Sequence, residues 1–150
     1  MVDDARLPPE DQPDEIWIGP VGPIPIHYDD DPRLEEERAA LGRATTKAQA
    51  MHTAGELLAG LTDQDWRVRH EVVDRLIARW GQDERTLPAL IRAALEDPAW
   101  QVRDAVVMRL HEFDKASVVP VLRDAQRDEH EDVRWSANYS LAQLGELDSA

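Results

Sequence analysis

Three histidines in this chain are each followed by a glutamate: His70-Glu71, His111-Glu112 and His130-Glu131. An imidazole beside a carboxylate is a metal-donor pair, and several such pairs converging on one point would make a metal centre. The zinc-helix pattern His-Glu-x-x-His is absent. There is no cysteine, which excludes disulfides, thiolate nucleophiles and thiolate zinc sites. The seven glycines are scattered and form no phosphate loop. Ser117, Ser136, Ser140 and Ser149 lack the context of a nucleophile elbow. Carboxylates are abundant, but no spacing selects one pair as acid and base. The residues therefore point to no catalytic role and no cofactor.

What must position these side chains is a repeat. The pattern Asp-x4-Val-Arg-x6-Leu occurs at Asp63/Val68/Arg69/Leu76, Asp97/Val102/Arg103/Leu110 and Asp128/Val133/Arg134/Leu141. The copies lie 34 and then 31 residues apart, a period that signals stacked supersecondary units rather than one central core. Val68, Val72 and Leu76 fall on one helical stripe, as do Val102, Val106 and Leu110. One helix pair cannot bury such a stripe, whereas a stack of pairs can. Each unit reads as an outer helix, a turn at the Asp, and an inner helix.

The predicted boundaries follow from stop and start signals. Asp31-Pro32 reads as N-cap and first residue of a helix that Gly42 ends. A second run over about 46–61 is the first outer helix, and 65–80 the first inner one, stopped by Gly81. The second unit spans about 86–114, with an inner helix over 99–113, and the third about 116–146. Pro88 and Pro120 sit early in their outer helices, where a missing N–H costs little. Residues 1–31 carry six prolines and are expected to be extended, with a strand pair disfavoured because proline cannot donate to a ladder. That segment is expected to lie along the first repeat or to dock a partner.

The turn Asp, the Val-Arg and the pairs Val72-Val73, Val106-Val107 and Ala137-Asn138 resemble HEAT repeats, particularly the short bacterial kind found also in phycobilisome lyases. The resemblance covers about 46–146. It implies an all-α fold: an α-solenoid of three helical hairpins, here with an extended Pro-rich N-terminal segment over 1–31 and one extra N-terminal helix opening the domain 32–150. It also implies that Arg69, Arg103 and Arg134 form a structural ladder with the turn Asp residues. Trp66 and Trp100, at matching turn positions, read as packing residues. His-Glu pairs on inner helices look like the iron motif of deoxyhypusine hydroxylases, but the places matching His70-Glu71 hold Asp104-Ala105 and Trp135-Ser136, so no metal site is expected. HEAT-like DNA glycosylases need a basic concave face, which this chain does not offer.

Charge narrows the partner. The net charge is −14, and residues 1–45 hold 12 acidic against 4 basic residues. This disfavours nucleic acid and anionic membranes, and favours a basic protein. The N-terminus lacks the apolar core of a secretory signal, and no apolar run approaches the ~18 residues of a membrane span, so a cytoplasmic location is expected. The expected interface is two rows on the inner helices. One row is His70, Asp104 and Trp135; the other, one turn further along, is Asp74, Met108 and Tyr139. Positions four apart share a helix face, and these point away from the buried stripe. Trp135 and Tyr139 would anchor a partner and Asp74 and Asp104 would receive its Arg or Lys; alternatively the two aromatics cap the last repeat. The expected role is a protein-interaction module, as an acidic inhibitor of the immunity-protein type or an adaptor. The rival class is a HEAT-like enzyme or accessory factor, lyase-related or metal-dependent. Partner identity and oligomeric state are not legible.

Overall fold

The computed structural model describes residues 31–147 and, before them, the backbone of 15–17 and 23–25. The chain divides into two compact units, 1–40 and 41–150. The expected course of the whole segment 1–31 therefore lies outside the described residues. Its two described pieces are strands, β1 (Glu15–Trp17) and β2 (Pro23–Pro25), paired antiparallel with Ile16 opposite Ile24. This corrects the expectation that proline forbids a strand pair. Along a strand, successive residues direct their N–H and C=O groups to opposite sides. Ile24 can serve the ladder while the flanking Pro23 and Pro25 face outward, where no N–H is required.

Helix α1 spans Pro32–Gln49. Asp31 caps it as expected: its carboxylate accepts from the Arg33 amide at 2.9 Å. Gly42 does not end this helix. A lone interior glycine costs about 1 kcal/mol but does not stop a helix whose ladder continues. The break comes at 50–53, where Thr53 and Glu56 form a capping box that opens α2, Ala54–Gly60. The expected helix over 46–61 is thus the end of α1 plus the short α2.

Over residues 41–147 the helices then alternate as predicted. The remaining helices are α3 (Trp66–Trp80), α4 (Thr86–Glu96), α5 (Trp100–Val107), α6 (Lys115–Ala125) and α7 (Glu131–Gln143). Outer helices α2, α4 and α6 pair with inner helices α3, α5 and α7, and the inner helices pack in series. The predicted stripe is the core: Val68, Val72, Leu76, Val102, Val106, Leu110, Val133, Ala137 and Leu141 are all buried, against Leu57, Leu90, Val118 and Leu122 from the outer row. Burial of each Val or Leu stabilises by about 1.5–3 kcal/mol, which is why the stripe sets the register of the stack.

One helix end, the conformation of one glycine and the place of one proline differ from the sequence reading. The second inner helix stops at Val107 and resumes as a 3-10 turn at Leu110–Glu112; the Met108 carbonyl contacts the His111 ring at 3.0 Å instead of continuing the ladder. Gly81 follows α3 in right-handed geometry, and its glycine is explained by space, since a Cβ there would meet the Ile77 carbonyl oxygen at 2.8 Å. Pro120 is the sixth residue of α6, not an early one, so one ladder donor is missing. Gly145 ends α7: φ is +73°, and the Glu146 and Gly145 amides donate to Leu141 and Ala142 in a Schellman closure.

Candidate functional site

Two sets of polar and aromatic side chains stand on the inner helices, and they differ in what they touch. The first is the ladder at the turns. Each turn Asp accepts from the backbone amide two residues on, at 2.9 Å: Asp63 from Asp65, Asp97 from Ala99, Asp128 from His130. Each also accepts a cation from the preceding repeat. Arg69 donates from Nε and Nη2 to Asp97 at 2.8 and 3.1 Å, and Arg103 donates the same way to Asp128 at 2.9 and 3.0 Å. Their Nη1 groups donate to the carbonyls of Asp63 and Asp97 at 2.7 and 2.8 Å. Lys47 takes the arginine's place at the start, 2.6 Å from Asp63.

Both arginines are buried and fully engaged. Lys47 holds the Asp63 carboxyl below its ordinary value. Burial pushes Asp128 up, but the bonds from Arg103 and the His130 amide outweigh it and leave it lowered. The ladder is structural, as the resemblance to HEAT repeats implied. Arg134 repeats the carbonyl contact, to Asp128 at 2.7 Å.

The second set is the pair of predicted rows. Trp135 and Tyr139 stack in parallel with ring centres 5.7 Å apart, and both are exposed, Trp135 by 61% and Tyr139 by 38%. His111 meets Tyr139 edge-on at 5.7 Å, and Met108 is exposed on the same helix pair, α5 and α7. The structure therefore brings Trp135, Tyr139 and His111 together. Asp104 is half-buried on α5: Ser136 Oγ donates to its carboxylate, and burial raises its carboxyl above the ordinary value.

His70 belongs to the first inner helix, with its ring edge against Trp66 at 6.3 Å. Asp74 is exposed and already has a cation beside it. Arg109 Nη1 donates to it at 2.8 Å, and the same guanidinium also pairs with Glu112. Among the described residues, no three His, Asp or Glu side chains converge to hold a metal ion.

The close of the stack is a separate place. Repeats one and two bury Val73 and Val107; the matching third residue, Asn138, is exposed and accepts from Gln126 Nε2 at 2.9 Å. Sequence reasoning missed the parts played by His111, Arg109, Ser136 and Ser140. The two serines are buried on α7 and tie it to α5, with Ser140 Oγ donating to the Val107 carbonyl at 2.6 Å. Their signal was a pair of serines four apart at positions otherwise facing a neighbouring helix.

The matching turns, the ladder and the stacked hairpins agree with the comparison to known families. The profile of HEAT repeats matches residues 28–111 and again 54–142. The chain belongs to the HEAT-repeat family. A search of the curated proteins gives no match. HEAT repeats serve in general as non-catalytic scaffolds for protein–protein interaction, and the ladder and stripe here are the parts that build such a scaffold. Among the described residues no helix is long and apolar enough to cross a membrane.

Proposed function

We propose that this HEAT-repeat protein is a non-catalytic binding module for a basic protein, engaged through the face of its inner helices. The observation that carries this reading is the exposed Trp135–Tyr139 stack on a chain of net charge −14. A folded protein gains nothing in stability from leaving an indole in water, and exposed aromatic anchors of this kind dominate interface energetics. Acidity favours a basic partner by steering and by complementarity. His70, Asp74, Asp104, Met108, Trp135 and Tyr139 are the proposed contact residues. Trp135 and Tyr139 act as anchors, Met108 as an adaptable apolar contact. Asp74 and Asp104 contribute field more than direct pairing, since Arg109 and Ser136 already engage them.

The sharper form of the proposal is a cytoplasmic inhibitor of the immunity-protein type, which blocks a basic enzyme by covering it. An adaptor uses the same face. Affinity capture from the native cell with mass spectrometry tests the reading. The expected result is a basic protein retained by the wild type, released as salt rises, and lost in Trp135→Ala. Retained nucleic acid at moderate salt, or capture indifferent to Trp135, contradicts it.

A further inference from the structure

The aromatic stack has a chemistry narrower than that of a general protein contact. Both tryptophans at the repeat turns have a nitrogenous group over the ring. The Arg67 guanidinium lies over the Trp66 ring at 5.0 Å, with Asp65 3.4 Å from the same guanidinium. The His130 imidazole stacks on Trp100 at 4.0 Å and 8°. Trp135 has Tyr139 on one side and is otherwise open to solvent. Its helix supplies carboxylates one turn earlier, at Glu131 and Asp132, both exposed, and a helical side chain leans back over that turn. Asp132 also lies close enough to Asp104 to raise its carboxyl further. The place is therefore an open indole face bordered by anions, the arrangement that Arg67 already satisfies within repeat one.

From this juxtaposition we infer that the Trp135–Tyr139 face receives an arginine side chain of the partner. The guanidinium stacks on the indole and pairs with the carboxylate of Asp132. A planar guanidinium fits better than an ammonium because it stacks and presents several donors at once, and because it is more weakly hydrated. This rests on the reading of the inner face as a partner site, and it adds the identity of the anchoring group.

The test uses the full chain and three capped peptides that differ at one residue: arginine, lysine or citrulline in an otherwise neutral glycine-serine sequence. Binding is followed by NMR at the Trp135 indole N–H, assigned by its disappearance in Trp135→Phe. The arginine peptide is expected to shift that resonance and to bind about five- to ten-fold more tightly than the lysine peptide, with citrulline weaker still. Asp132→Asn is expected to reduce arginine binding while leaving the fold intact, and Trp135→Phe to keep part of it. Equal binding of the arginine and lysine peptides, or shifts spread over the acidic surface without focus on Trp135, overturns the inference. If the peptides fail while Trp135→Ala still loses a captured protein, the arginine assignment falls and the partner site stands. If Trp135→Ala loses no partner, both fall.

Discussion

The turn ladder and the aromatic face are built on the same three inner helices, one residue apart in sequence, yet they obey opposite rules. Arg103 is buried, fixed by three hydrogen bonds to Asp97 and Asp128. Its neighbour Asp104 and the matching His70 are half-buried, and the matching Trp135 is exposed. A one-residue step on a helix rotates the side chain by about 100°, so adjacent columns of a repeat can be given wholly different tasks. The column that joins repeats keeps one chemistry in all copies. The column beside it varies in chemistry: in repeat two Asp104 accepts from Ser136 of the next inner helix, and in repeat three Trp135 is exposed.

That contrast can be broken most forcefully at the ladder. Arg103→Ala leaves Asp128 without its cation and frees the Asp97 carbonyl; a loss of about 3–5 kcal/mol is expected, read as a fall in the urea midpoint. A loss under about 1 kcal/mol would show that the ladder is ornamental and that apolar stacking alone joins the repeats.

Acid should dissolve the same ladder. The Asp63 and Asp128 carboxyls are lowered in the fold. Their contribution is present above the unfolded aspartate value of about 3.9 and is lost as pH falls through their folded values. Urea midpoints measured from pH 6 downward should drop in that window, and Asp128→Asn should remove part of the slope.

Asp104 sharpens the comparison with the opposite sign. Its carboxyl is raised by burial, so the ionised form costs stability above the folded value, and the cost fades as pH falls from that value to the unfolded aspartate value of about 3.9. Asp104→Asn keeps an acceptor for Ser136 and should raise the neutral-pH stability, read as a higher urea midpoint. Destabilisation at pH 7 would mean that this carboxylate belongs to the structural column after all. The smallest effect is expected at the face itself: Trp135→Ala/Tyr139→Ala should change unfolding free energy by no more than about 0.5 kcal/mol per residue, as surface substitutions do.

Much of the scaffold is legible in the three turn motifs. The Val-x3-Val-x3-Leu stripe implies the core, because it is set by helix geometry, while the Asp–Arg ladder is legible only through the resemblance of the turns to HEAT repeats. The boundaries are harder. Gly42 reads as a stop, although the decisive signal is the Thr53–Glu56 capping box further along. The second inner helix breaks early where the His111 side chain takes up the Met108 carbonyl, a contact that depends on tertiary placement. The Pro-flanked strand pair escapes a reading by residue type, which ignores the side of the ladder each proline faces. At the candidate site, the rows place Trp135 and Tyr139 together, while the engagement of Asp74 by Arg109 depends on the neighbouring helix. Asn138 departs from the Val-Val pair of the other repeats and accepts from Gln126 instead.

Whether the aromatic face serves a purpose the fold does not require is decided most directly by quantitative capture from native extract. Wild type and Trp135→Ala/Tyr139→Ala are compared side by side, the two proteins first matched for urea midpoint. Equal stability and loss of a basic protein partner from the double variant are expected. An unchanged set of captured proteins, or a double variant that unfolds as readily as Arg103→Ala, would contradict a binding role for this face.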